Sequence, residues 1–341
     1  MNWDMLGHKW AVDLLKRHVA RDEVRHAYLF TGPQGIGRRT LAVRLAQALN
    51  CPSPVEPGEP CLTCPTCRQI DAMQHPDLFM VQAEPPGGTL KVDQVRDLQH
   101  SLVLSPYQGR YRVAILLRFE EANDNAANAL LKTLEEPASK VVIILTAEST
   151  EKLLPTVVSR CEVLRLQPLQ VTEVVKGLQE RWQLDNKQAR LLAAISGGRP
   201  GYARCLHENA DKLHKRTKWL NDHARLLSAS RVERFRFSEG INEDINKGRM
   251  TRQELYEMLA NWLSLWRDVL LTAAGSTRML TNLDREKEIV DLADCYRIPG
   301  AQKSVLAVEK TLERLRKNVN LRLAMDVLLL DLAQSAGSAA V

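Results

Sequence analysis

A chain of 341 residues that is 45% hydrophobic and 26% charged, with only 17 glycines and 15 prolines, has the composition of a folded protein of two or three domains, which excludes fibrous and unfolded classes. Its longest apolar runs, Val113 to Leu117 and Val141 to Leu145, are far short of the roughly 20 residues a membrane helix needs, so no membrane span is expected. The formal charge of +6 is compatible with shared contact with nucleic acid, yet no basic tail or aromatic-interleaved basic strand marks a single-strand binder.

The opening MNWDMLGHKW lacks a basic segment followed by an apolar one, so a cytoplasmic location is expected and the seven cysteines call for an explanation other than stable disulfides. Strand signals then alternate with helix signals: Tyr28–Thr31, a glycine turn, a helix through Leu49 with Leu41, Leu45, Ala48 and Leu49 on one face, and strands at Leu78–Gln82, Val113–Leu117 and Val141–Thr146. Short, continuously apolar strands suit a parallel sheet covered on both faces, so the first half reads as a doubly wound α/β domain. A further helix runs from Asn125 to Glu136, with Leu130, Leu131 and Leu134 inward and Pro137 as its stop. Beyond Pro168 the pattern is helical. Segments Thr172–Trp182 and Asp185–Ser196 close on the breaker Gly197-Gly198-Arg199-Pro200-Gly201 and form a small helical domain. From about residue 207 longer stripes appear, Leu255, Met258, Leu259, Trp262, Trp266 and then Leu321, Met325, Leu328, Leu329, Leu332, which read as internal core or a subunit interface. The terminal SAGSAAV is expected to fray.

The glycine turn is Gly32-Pro33-Gln34-Gly35-Ile36-Gly37-Arg38-Arg39-Thr40, set between strand and helix as a phosphate-binding loop requires. Its glycines are in place, but its chemistry is not. Arg38 stands where a lysine reaches the outer phosphates, and its planar fork is a different shape from an ammonium. Arg39 puts a permanent cation where a hydroxyl should hold Mg²⁺. Thr40 is about 100° further round the helix and cannot replace it. The two carboxylates that should follow the strand Val113–Leu117 are replaced by Leu117 and Arg118. Glu120 and Glu121, slightly further on, read as solvated acids of an exposed turn. ATP and Mg²⁺ are therefore not expected to be turned over by this chain, although the loop could keep some phosphate affinity.

Cys61, Cys64 and Cys67 form C-x2-C-x2-C, and Cys51 precedes them across the Pro-rich loop CPSPVEPGEP. Four thiolates brought together in this way complete a tetrahedral, structural Zn²⁺ site with no open position. The rival iron–sulfur run needs a fourth cysteine where this chain has Asp71, and free buried thiols are the remaining reading. Cys161, Cys205 and Cys295 stand alone and read as small core residues.

Taken together, His26-Ala27-Tyr28-Leu29-Phe30, the altered glycine loop, the four cysteines, NALLKTLEEP from Asn128 to Pro137, and Ser159-Arg160-Cys161 resemble the clamp-loader AAA+ family, strongly to about residue 166 and more loosely beyond, where NVNLRLAMDVLLL is similar to the family's collar. Broken ATPase motifs with an intact SRC resemble the family's delta-prime members rather than its ATPase members. The resemblance implies an AAA+ α/β domain over 1–166 with a zinc module at 51–67, a small helical lid over 167–206 and an all-helical collar over 207–341. It implies a relatively rigid, non-catalytic member of a five-subunit ring that places a sliding clamp on primed DNA. The implied partners are the gamma/tau ATPase subunit and the delta subunit, with the clamp and primer-template DNA met through the complex. Arg160, flanked by Ser159 and Cys161, matches the arginine finger that reaches a neighbour's γ-phosphate, where a guanidinium stabilises developing charge. ATPase members carry a further nucleotide-sensing arginine near Gly197–Gly201, and Arg199 stays unassigned. Two other functions remain open: a weakly active ATPase using Arg38 and Glu120, and a zinc-dependent DNA-binding module.

Overall fold

The computed structural model describes residues 3–84, 87–276, 280–317 and 319–332, and the SAGSAAV end lies outside them. The described residues form two compact units. One runs from the N-terminus to Ala189 and takes in Gly198–Ala203; the other comprises Arg190–Gly197 and the chain from Arg204 onward.

The first unit contains, in chain order, α1 (Lys9–Ala20), β1 (Ala27–Thr31), α2 (Arg38–Asn50), α3 (Pro65–Asp71), β2 (Leu78–Val81), α4 (Val92–Leu102), β3 (Arg112–Leu116), α5 (Asp124–Glu135), β4 (Val141–Ala147), α6 (Pro155–Val158), β5 (Glu162–Arg165) and α7 (Val171–Trp182). The strands form one sheet in the order β2-β3-β4-β1-β5, and every pairing is parallel. This is the doubly wound sheet read from the apolar runs. β1, β3 and β4 are buried along their whole length, as central strands covered by helices must be. The edge strands β2 and β5 are only half buried. That is why β5 had no continuous apolar signal and was not anticipated. Two cores lie on opposite faces: one gathers Val12, Leu15, Phe30, Leu41, Leu45, Ile115 and Ile144, the other Leu29, Leu98, Leu116, Leu130, Leu134 and Ile143.

α2 differs from the expected amphipathic helix. From Leu41 to Asn50 only Arg44 is not buried, because sheet, α1 and α3 cover it on nearly every side. In α5, Leu130 and Leu134 are buried with Ala126 and Ala127, while Leu131 is half exposed; the helix stops just before Pro137, as expected.

α8 (Asn186–Ile195) and α9 (Pro200–Glu208) lie partly in each unit. The breaker is shorter than the sequence suggested, since Pro200 and Gly201 already belong to α9, with Pro200 at its start, where a missing N–H costs nothing. The second unit continues with α10 (Ala210–Ser228), α11 (Arg231–Asn246), α12 (Arg252–Ala273), α13 (Glu286–Arg316) and α14 (Leu321–Asp331). Its core collects Leu255, Met258, Leu259, Trp262, Trp266, Met325, Leu328, Leu329 and Leu332, so both stripes are internal core, although Leu321 is only half buried. α11 and α12 each begin with a reciprocal capping box, Ser230 with Glu233 and Thr251 with Glu254. α13 is broken at Arg297 (φ 51°, ψ −173°), two residues before Pro299. No helix of the described residues is long and apolar enough to cross a membrane.

Candidate functional site

The glycine loop connects the C-terminal end of β1 to α2, the place where open α/β sheets bind ligands. Two of its glycines are sterically required. Gly32 has φ 144°, and a Cβ there would stand 2.3 Å from the Leu166 carbonyl oxygen. Gly35 has φ 83°, and a Cβ there would meet Tyr202 Cβ at 2.8 Å and its backbone nitrogen at 2.9 Å. The Gly201 N–H donates to the Gly35 carbonyl at 2.8 Å, so the outer turn of the loop is seated on the first residues of α9. On the other side, buried His8 lies with Nε2 3.0 Å from the Ile36 carbonyl oxygen, which can only accept. Burial holds the His8 pKa below its ordinary value, the form that suits this neutral contact.

The side chains around this backbone differ in burial. Arg38 is buried, while Arg39 and Thr40 point to solvent. Leu117 packs into the apolar core. Arg118 adopts a left-handed conformation, donates its N–H to Thr146 Oγ1 at 2.9 Å and pairs with Glu121 at 3.3 Å. The acids after the strand are not the solvated pair expected. Glu120 and Glu121 each carry a shielded carboxylate oxygen with no hydrogen-bond partner among the described residues, and burial raises both pKa values above the usual carboxylate range. The short 3-10 turn Phe119–Glu121 folds them back because Phe119 is anchored in the core. Glu120 and Glu148 exert their fields on Arg38, whose own pKa is lowered by burial and raised by these two acids. Sequence gave no cue to Glu148, since only the sheet brings the end of β4 beside α2.

Arg38 Nη1 is shielded from solvent and has no hydrogen-bond partner among the described residues. A buried cation thus stands at the start of α2, with Glu120 and Glu148 nearby. Arg199, left unassigned above, is largely desolvated, which lowers its pKa, and its guanidinium lies 4.5 Å from the centre of the Tyr202 ring.

The cysteines meet as the spacing implied. One sulfur from each of Cys51, Cys61, Cys64 and Cys67 lies within 4.8 Å of the others. A tetrahedral ion with Zn–S of about 2.3 Å requires sulfurs about 3.8 Å apart. The Cys51–Cys61 and Cys51–Cys64 separations, 3.5 and 4.0 Å, bracket that value. Backbone N–H groups of Cys61, Cys64 and Cys67 point at the sulfurs of Cys51, Cys61 and Cys64 at 3.3–3.4 Å, which stabilises thiolates. Hydrogen bonding from the Thr63 backbone brings the Cys61 pKa down to about 6, whereas burial pushes those of Cys51 and Cys67 up. The donor set therefore fits a zinc ion. The module is tied to the body by Gln47 Nε2 donating to the Cys67 carbonyl (2.7 Å), Trp3 Nε1 donating to the Gly58 carbonyl (3.0 Å), and the Lys16–Glu59 ion pair (2.6 Å).

Ser159, Arg160 and Cys161 follow α6 directly. The Arg160 side chain is one-third exposed, pairs through Nη2 with Glu135 Oε1 at 2.5 Å, and donates from Nη1 to the Thr156 carbonyl at 2.7 Å. Ser159 Oγ donates to the same carbonyl at 3.1 Å. Cys161 packs against the second core, where burial pushes its thiol up to about 12. Of the other lone cysteines, Cys205 is half buried, but Cys295 is exposed and not the core residue expected.

Residues 7–170 match the family described as DNA polymerase III, delta subunit. The chain is 31% identical over 322 residues to the DNA polymerase III subunit delta' of Bacillus subtilis, covering 94% of each chain. It is 39% identical over 200 residues to the delta' subunit of Pseudomonas aeruginosa, covering 58% of this chain and 60% of that one. A solved gamma subunit-related protein of Thermotoga maritima aligns over 94% of this chain and 98% of that one, with 19% identity and a TM-score of 0.45. Near-complete coverage at this identity means that the chain belongs to the DNA polymerase III delta' subunit family, and so to the clamp-loader components of that polymerase.

Proposed function

We propose that this chain is a non-catalytic assembly subunit of the clamp loader that supplies Arg160 in trans to the nucleotide of a neighbouring ATPase subunit. The observation that carries the reading is the chemistry at the degenerate loop: a buried Arg38, a solvent-facing Arg39 and a core-packed Leu117 stand where phosphate and Mg²⁺ would need a lysine, a hydroxyl and a carboxylate. Arg160, by contrast, is partly exposed and oriented, so it can meet a partner's phosphate. The ATPase partner in this reading is a gamma/tau subunit; E. coli tau matches the chain at 33% identity over 171 residues. The delta subunit, the sliding clamp and primer-template DNA are partners through the complex, in the cytoplasm. The division into an α/β domain (1–166), a lid (167–206) and a collar (207–341) belongs to the same reading.

The deciding measurement is DNA- and clamp-stimulated ATP hydrolysis by the assembled subunits. Arg160→Ala in an assembly that still forms is expected to lower the rate by about 10³-fold, and the chain alone is expected to be silent. The second reading, a weak ATPase, draws on the proximity of Glu120 to Arg38. Mg²⁺-dependent turnover by the chain alone, abolished by Gly37→Val in a protein of unchanged circular dichroism, would establish it instead.

We also propose that the four-cysteine cluster holds one structural Zn²⁺, which would crosslink the Pro-rich loop to α3 and leave no open position for chemistry. Elemental analysis is expected to find one zinc per chain; iron with visible absorption, or no metal, would refute it.

A further inference from the structure

We propose that Glu135 is the positioning residue for Arg160, holding the guanidinium oriented before a neighbour's nucleotide arrives. The inference rests on the trans-acting role proposed above for Arg160.

Glu135 is the last residue of α5, followed by Glu136 at the cap and by Pro137. Acidic side chains at a helix C-terminus oppose the helix dipole, so neither glutamate is there for the helix's sake. The compensating charge on Glu135 comes from a different element: Arg160, just beyond α6, contacts its Oε1 at 2.5 Å. Both side chains are partly exposed, 33% for Arg160 and 49% for Glu135, and an exposed ion pair of this kind adds little to stability. Its effect is geometric. Arginine carries five N–H donors in a rigid fork. Nη2 is engaged by Glu135, and Nη1 by the Thr156 carbonyl at 2.7 Å and more weakly by Ser159 Oγ at 3.5 Å. Two N–H groups, the second on Nη2 and the one on Nε, stay available to phosphate oxygens. A long side chain that would otherwise lose its rotamer freedom on meeting the partner is thereby ordered in advance.

In the partner's reaction water attacks the γ-phosphorus, the bond from phosphorus to the bridging oxygen breaks, and ADP and inorganic phosphate leave. Arg160 contributes charge stabilisation only, and Glu135 acts through Arg160 without touching the reacting atoms.

The test uses the complete complex and reads kcat and KM for ATP with intact chain, Arg160→Ala, Glu135→Ala, Glu135→Gln and the Arg160→Ala/Glu135→Ala double variant. Glu135→Ala is expected to lower kcat about tenfold with KM within about twofold. Glu135→Gln keeps an acceptor oxygen and is expected to recover most of the loss. In the Arg160→Ala background, Glu135→Ala is expected to add nothing. A Glu135→Ala complex as fast as wild type or faster, while Arg160→Ala is slow, would overturn this inference and leave the role of Arg160 standing. Failure of Glu135→Ala to assemble would also overturn it, by making Glu135 an interface residue. If Arg160→Ala itself turns over normally, the underlying reading fails, whatever Glu135 does.

Discussion

Both buried arginines of the helical unit are bonded, whereas the two buried arginines of the α/β unit differ from each other. In the helical unit, Arg216 is bonded through both terminal nitrogens to Asp284 at 2.6 and 3.0 Å and to Asn282 at 2.6 Å, and Arg234 donates to the carbonyls of Leu329 and Leu227 at 2.6 and 3.0 Å. In the α/β unit, Arg112 is likewise engaged, with Asp77 and with the carbonyls of Ser101 and Ser105. Arg38 alone among these buried arginines makes no hydrogen bond to the described residues and relies on the longer-range field of Glu120 and Glu148. Arginines kept for architecture are bonded, because leaving a buried charge unmatched costs more than the pair contributes. Arg38 stands without such partners, while the backbone around it is held by packing against Leu166 and Tyr202.

Four experiments test this contrast. The largest effect is expected from Gly35→Ala. Its positive φ and the approach of Tyr202 within 3 Å should together cost about 4 kcal/mol in urea unfolding, and a cost below about 1 kcal/mol would mean that the loop is not held by packing. Arg216→Met should cost about 3 kcal/mol by the same measurement, somewhat below the full value for a buried pair because Asp284 keeps partial access to water.

Acid should act on the helical unit through His223, which is fully buried, accepts from Trp266 Nε1–H at 2.8 Å, and has its pKa pulled down by burial to about 3. The unfolded chain protonates His223 near pH 6.5, so below that pH it binds more protons than the folded chain. The stability from neutral His223 is therefore complete above pH 6.5 and is lost progressively as pH falls towards 3, by about 2 kcal/mol at pH 5. His223→Phe should flatten the stability profile between pH 7 and pH 5; an unchanged slope would exclude His223 as its source. The smallest effect belongs to Arg38→Met, expected to stay within about 1 kcal/mol of wild type because no hydrogen bond is broken and a desolvated charge is removed. A loss as large as that for Arg216→Met would place Arg38 among the structural arginines.

Much of this was legible from local pattern. The three buried strands, the helix from Asp124, the two helical stripes and the four cysteines all announce themselves through periodicity or spacing, because each depends on residues close in the chain. The place of the glycine loop between strand and helix was legible for the same reason, since its glycines lie close together in the chain. β5 escaped notice because an edge strand needs only one apolar face. Asp77 escaped it because its role, accepting the N–H groups of Tyr107, Gln108 and Gly109 at 2.7–2.8 Å, joins segments thirty residues apart.

The fold class and the cysteine cluster could be read from the sequence alone, since each follows from residue type at short spacing. Completed tertiary contacts were needed to show that Glu120 is half-buried beside Arg38 instead of solvated, that Gly35 is seated on Gly201 and Tyr202, and that Glu135 pairs with Arg160. These contacts join elements far apart in the chain, and the cost or benefit of a charge depends on the burial and neighbours that the completed fold provides.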